Sequence, residues 1–203
     1  MGARQTRPVL PTDLAGLDID CPRSPGLRTV LTDAHAAWAH AAVQAWGLCG
    51  MRSEQGSVVL VCPALHLPAG HPLQQWSRPA GAAHVLALSV AGDGLSGQVP
   101  TRWLVQSLAR RLRGRASGLE AAGSRSGGMG DCTAAPAAWL EGAGFVVVEG
   151  SRGDGLVHLQ LDLGHTVPWA RGAELARRAA GRLLPSPWGS PEPTGRDLAR
   201  REG

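Results

Sequence analysis

The 203-residue sequence predicts an α/β chain, a mixed central sheet with helices on its faces. Three observations carry this. Short, fully apolar, β-branched runs at 57–65 (SVVLVCPAL) and 83–90 (AHVLALSV) read as buried strands. Segments 32–46 and 100–113 place apolar residues at helical spacing. Segment 156–163 alternates, with Val157, Leu159, Leu161 and Leu163 inward and His158, Gln160 and Asp162 expected to face solvent.

The elements follow in order. Residues 1–26 are rich in Pro, Arg and Gly and read as a loosely packed lead-in. In 32–46, Thr32 or Asp33 can cap a helix whose apolar face is Trp38, Ala42 and Trp46 beside Ala39 and Val43; Gly47 and Gly50 end it. After the strand at 57–65 comes a proline-punctuated loop, then the strand at 83–90 and a loop over 91–99. The helix at 100–113 shows Leu104, Leu108 and Leu112 on one face, with Val105 alongside and Gly114 past its end. A third strand at 117–123 is joined to 83–90 by a helical crossover, so the two are expected to be parallel. A loop at 124–131 leads to a short helix at 133–143, with Thr133 as its cap, Pro136 in its first turn and Gly144 at its end. Two strands close around GSRGDG, and Trp169 leads a last helix ending near Leu184. Residues 1–185 are expected to form one domain, and 186–203 a disordered tail dominated by Pro, Gly and charge.

Composition narrows the function classes. Hydrophobic content of 43% is that of a soluble globular protein. All twenty basic residues are Arg, and the net charge of +4 favours acidic small molecules only weakly. The Arg residues are scattered and lack interleaved aromatics. The one cluster, Arg110, Arg111, Arg113 and Arg115, complements a helix end, so no nucleic-acid partner is expected. Cys21, Cys49, Cys62 and Cys132 show no CxxC spacing, which argues against zinc or a disulfide framework and suits a reducing compartment. The N-terminal MGARQTRPVLPTD has no apolar signal core, and the run at 57–67 is too short to span a bilayer and contains Pro63. The expected location is cytoplasmic, with no membrane partner.

The core VLALSV, loop, RWLVQSLARRLRGR, GLEAAGSRSGG, then CTAAPAAWLEGAGF resembles the GNAT N-acetyltransferase superfamily. In that family a fourth strand runs into a pyrophosphate-binding loop and helix; a fifth strand follows, then a helix ending in Gly-Phe, here Gly144 and Phe145. More narrowly, the chain is similar to an actinobacterial subgroup. The matching pieces are WGLCG (46–50), the helix with Cys132, Pro136, Trp139 and Leu140, the strand HLQLDL before Trp169, and DIDCPRS (18–24). The likeness covers roughly residues 17–185. It implies an acyl-CoA-dependent N-acetyltransferase acting on a small amine or an amino terminus, with acetyl-CoA as cofactor. Its other implication is a catalytically impaired module of the same fold that binds a ligand, a protein partner or a second copy.

The family loop, Arg/Gln–x–x–Gly–x–Gly/Ala, corresponds here to Ser96, Gly97, Gln98, Val99, Pro100 and Thr101, of which only Gly97 matches. That loop works by aiming backbone N–H groups at a diphosphate from a helix N-terminus. Val99 disfavours the positive φ that glycine allows, and Pro100 has no N–H. The loop is thus a degenerate one, with the amide of Gln98 and the side chain of Arg102 as the nearest substitute donors. The resemblance assigns the thioester and its arm to the backbone of Leu88, Ser89 and Val90.

For catalysis the chain offers no Tyr, the family's usual thiolate acid. Cys132, Ser126 or water can stand in, although Cys132 also reads as a small packing residue. Glu120 on the fifth strand is a candidate base through water, or else a carboxylate on a wetted face. His84, opening the fourth strand near the acceptor cleft, titrates in the right range but also fits a surface position. His66, His71 and Cys62 lack a well-placed fourth ligand, and no metal is expected. Trp38, Trp46, Trp103 and Trp139 are at core spacing; Trp76 and Trp188 are placed for exposed contacts.

Overall fold

The computed structural model describes residues 5–17, 19, 31–33, 36–76, 81–91, 98–125, 133–149 and 155–164, all within a unit spanning Met1–Thr166. The chain enters through Thr6–Val9 (β1), a 3-10 turn at Pro11–Gly16, the helix Ala37–Trp46 (α1) and Gly50–Ser53 (β2). Then come Val58–Pro63 (β3), Ala83–Ser89 (β4), Gln98–Leu112 (α2) and Gly118–Ser124 (β5). Ala134–Pro136 (β6), Ala137–Ala143 (α3), Val146–Glu149 (β7) and Leu156–Asp162 (β8) complete the described elements.

All eight strands join one open, mixed sheet in the order β1-β2-β3-β4-β5-β8-β7, with β6 paired to β5. The expected parallel pairing of β4 with β5 is present, Ala83 opposite Leu119 and His84 opposite Glu120. The other pairings along the main order are antiparallel, while β6 runs parallel to β5. β3, β4 and β5 are buried along nearly their whole length, which is why they read as continuous apolar or small-residue runs.

The helices cover the sheet with the faces the spacing predicts. α2 buries Thr101, Leu104, Val105, Leu108, Ala109 and Leu112. Trp103 lies off that stripe and is 45% exposed, so it is not the core residue its sequence context suggested. α3 sits on β5 so closely that a Cβ at Gly123 would meet the Cα of Ala137 at 3.1 Å. α1 ends as expected at Gly47, left-handed at φ 80, and the Arg115 guanidinium donates to the Trp46 carbonyl at 2.6 Å, a cation on a helix C-terminus. α1 begins at Ala37 without a side-chain cap, later than Thr32.

Three stretches differ from the sequence reading. The lead-in is not loose: β1 pairs with β2, and Val9, Leu14, Leu17 and Ile19 are in the core. Pro8 is tolerated because β1 is an edge strand. Gly50 does not end a helix but starts β2, where a Cβ would lie 2.3 Å from the Val59 carbonyl oxygen. Residues 134–136 are strand rather than helix, and Pro136, not Thr133, sits at the N-terminal boundary of α3. The Trp169-led helix and the tail at 186–203 lie outside the described residues. No helix among the described residues is long and apolar enough to cross a membrane.

Two consequences are measurable. Gly50→Ala must push β2 off β3 and is expected to cost about 1–3 kcal/mol or more in chemical denaturation. Burial pushes the Cys49 thiol from 9.0 up to about 12, opposed by a backbone hydrogen bond and reinforced by Asp13. The unfolded thiol therefore loses its proton first. Cys49 contributes fully below pH 9, and its contribution falls by up to about 1.4 kcal/mol per pH unit as pH rises through that window. Denaturation at pH values either side of 9.0 checks this, since Cys49→Ala should flatten the dependence.

Candidate functional site

The backbone of β4 breaks step with β3 at one residue. Leu60 pairs with Ala87 but the next residue, Val61, pairs with Val85, so Leu86 is a β-bulge without an opposite number. Its carbonyl is taken by His71 Nε2 at 3.1 Å. His71 Nδ1 accepts the Leu73 N–H at 3.2 Å, so the proton is on Nε2 and the ring donates to Leu86 as neutral imidazole. Beyond the bulge β4 continues to Ser89, yet its pairing with β5 stops at His84–Glu120. The two strands part there, and β6 occupies the edge of β5 from Ala122 to Ser124.

Past that rung β6, which packs beside β4 as well as pairing with β5, takes the neighbouring place. Val61 donates to the Cys49 carbonyl at 3.0 Å, so Val61, and by alternation Val59, turn their backbone groups toward β2. Leu88 faces Val59 in a non-hydrogen-bonded pair, and its N–H and C=O therefore point away from β3, to the side β5 has left. Ser89 pairs with Val58, and Val90 follows, half-buried, at the mouth.

At the apex sits a buried polar group. His84 and Glu120 are neighbours in register and so share one face of the sheet. His158 lies opposite Ala122 on β8, diagonal to Glu120, and its Nε2 bonds the Glu120 carboxylate through Oε2. Trp76, brought back by the 3-10 turn at Pro72–Gln75, stacks on His158 with centroids 5.3 Å apart and planes at 15°. Exposure is 0% for His84, 1% for Glu120, 5% for His158 and 4% for Trp76. Glu120 Oε1 and Trp76 Nε1 are buried without a hydrogen-bond partner among the described residues.

The site residues read from the sequence thus fall into groups. Glu120 and His84 come together, but neither is on a wetted surface. His158 and Trp76 were read as outward or exposed and instead complete the cluster. The alternation that placed His158 outward assumes one solvated face, whereas here both faces near β5 are covered. One signal could have found the pair: a lone carboxylate inside the small-residue run GLEAAG needs a buried partner.

The cofactor residues are more dispersed. Gln98, Val99 and Pro100 belong to the first turn of α2 rather than to a loop, since the helix starts at Gln98. Val99 is 52% exposed, Arg102 is exposed, and Thr101 is fully buried with its hydroxyl unpartnered among the described residues. Its amide falls to the helix's own i to i−4 bonding, so Thr101 does not serve as the cofactor contact expected of it. Gln98 Nε2 donates to the Ala138 carbonyl at 3.4 Å, tying this turn to α3. Beside it, at the carboxyl ends of β5 and β6, a cleft of about 380 Å³ is lined by Ser124, Arg125, Pro136 and Glu141 among others. Gly97, Ser126 and Cys132 lie outside the described residues. Among those described, no group of three or more His, Cys, Asp or Glu residues is placed to hold a metal; His66 is exposed while His71 and Cys62 are buried.

The buried pair sets an energetic expectation. Removing one partner strands the other in a low-dielectric interior, a loss of about 3–5 kcal/mol. Glu120→Ala and His158→Ala should each show it, and the double variant should cost less than the sum by about 0.5–3 kcal/mol in a denaturation cycle. Strict additivity would show that the two side chains do not interact. No protein-family model matches the chain and no curated protein sequence matches it, so a functional reading rests on its motifs and on this geometry.

Proposed function

We propose that the chain is a GNAT-fold, acyl-CoA-dependent N-acetyltransferase whose acceptor is a small amine or an amino terminus. The observation that carries this reading is the parting of β4 and β5 immediately after the His84–Glu120 rung, with a buried carboxylate–imidazole pair at the apex. Strand ends that diverge in an open α/β sheet create the crevice in which such folds take ligands.

The residues fit the proposed cofactor along β4. Leu88 presents a backbone donor and acceptor to the opening, suited to an amide-bearing arm. At the diphosphate end, the first turn of α2 can supply the amides of Gln98 and Val99 and the charge of Arg102, while Pro100 has no N–H and Thr101 spends its own within the helix. Acetyl-CoA, when bound, supplies the activated acetyl thioester. Glu120, held by His158 through one oxygen, retains Oε1 as a proton acceptor for the incoming amine, directly or through a water. His84 closes the apex and keeps bulk water from the carboxylate.

A second reading keeps the fold and drops the turnover. It is favoured by β6, which already pairs with the β5 edge of the opening, and by Pro100 and the exposed Val99 on α2. Such a module would hold a ligand or a protein partner without transferring an acetyl group.

Calorimetric titration with acetyl-CoA, followed by thiol-release assays over a panel of amines, separates the two. The transferase reading expects saturable binding and turnover. It also expects Glu120→Gln to lower turnover by about 10²–10⁴-fold with acetyl-CoA affinity retained. Binding without turnover on any amine supports the module. Absence of binding sinks the transferase.

A further inference from the structure

We propose a second ligand site at the other end of the sheet: the cleft between β1, β2 and the 3-10 turn at Pro11–Gly16 binds the phosphate group of a small phosphorylated molecule. The cleft is about 500 Å³, and Arg7, Gly16, Arg52, Ser53, Glu54 and Gly56 are among the residues that line it. That volume suits a small metabolite rather than a lone ion.

The first argument is charge placement. Arg7 and Arg52 are directly opposed in the β1–β2 register, so their side chains leave the same face of the sheet side by side. Like charges opposed across strands are unfavourable unless something between them is negative. Asp13 neutralises this only in part. One carboxylate oxygen accepts the Leu10 N–H at 2.9 Å, and the other stands 3.6 Å from Arg52 Nη2, beyond good hydrogen-bond length. Arg7 has no ion pair among the described residues, and neither arginine pairs with the exposed Glu54 among them.

Unused donors make the second argument. Arg52 Nε is buried and has no hydrogen-bond partner among the described residues. Two guanidinium groups side by side at one cleft match a tetrahedral oxyanion, which takes forked donors from Arg. The site lies on β1 and β2, with β3 separating it from the β4 opening, so it stands or falls independently of the acetyl-transfer reading.

The test uses the full chain and inorganic phosphate as the minimal probe. Thermal unfolding is followed while phosphate replaces chloride at constant ionic strength. A rise that is logarithmic in phosphate concentration is expected, about 2–4 °C once phosphate reaches about five times its dissociation constant. Arg7→Gln should melt higher than the natural protein without phosphate, because the opposed charge is gone, and should lose the logarithmic response. Arg110→Gln, on an exposed position of α2, should keep that response. Arg52→Gln supplies a second variant and should weaken binding about ten- to hundredfold, on the order of one charge-assisted hydrogen bond. A linear rise shared by all variants would mean general salting-out of unfolded chain and overturn the site. A logarithmic response surviving in Arg7→Gln would overturn it equally.

Discussion

The candidate site depends on one extra residue in β4. With Leu86 unmatched on β3, the side chains before and after it keep their faces only by a shift of one: His84 lines up with Cys62, and Ala87 with Leu60. A bulge also bends its strand and steepens the local twist. β4 therefore follows β3 while turning away from β5, and pairing with β5 ends at His84. Bulges leave polar backbone groups unpaired, and a buried one is costly. The Leu86 carbonyl escapes that cost because His71 donates to it, and His71 is fixed in turn by the Leu73 amide. The prolines around His71 thus serve the sheet: the turn at Pro72–Gln75 that orients this imidazole also delivers Trp76 onto His158.

Burial of Glu120 and His158 is the second constraint. A carboxylate in a fully covered central strand is tolerable only with a partner, and the diagonal position on β8 supplies one. For stability alone, apolar residues would serve as well there, because desolvating a buried polar pair offsets much of its attraction. The proposed function gives the remaining carboxylate oxygen a use. That is the reason Glu120 outranks the exposed carboxylates Glu54 and Glu141 as the candidate base.

Much of the architecture was legible in the sequence, for identifiable reasons. β3, β4 and β5 are covered on both faces, and such strands announce themselves as unbroken apolar or small-residue runs. α2 shows its stripe because one face alone is buried. What could not be read depends on contacts distant in sequence. Gly50 looks like a helix terminator until the Val59 carbonyl is known to lie against it. Pro136 looks like a helix start, and here it follows a strand held by β5. His158 looks like the wet half of an alternating strand until Trp76, eighty-odd positions earlier, is found covering it. Of the site itself, the neighbours Glu120 and His84 were legible as types and the partners that fix Glu120 were not.

The start of α2 shows how tertiary contact overrides local preference. Propensity puts the helix at Pro100, the residue most comfortable in a first turn. It begins at Gln98 instead, where the side chain of Gln98 reaches the Ala138 carbonyl on α3. Gly142 leaves room for this approach, since a Cβ there would lie 3.0 Å from Gln98 Nε2 and the amide would have to give way. Glycine inside a helix costs roughly 0.5–1 kcal/mol relative to alanine, a penalty that close packing can justify. α3 is seated on β5 through Ala137 against Gly123. A chain of contacts therefore runs from β5 through α3 to the first turn of α2. It holds the N-terminal amides of α2 in place, although the sequence before them keeps Gly97 alone of the loop pattern it resembles. It follows that the loop sequence alone is a poor guide to whether an anion can bind at this helix end, and the amides of Gln98 and Val99 with Arg102 are the groups that decide it.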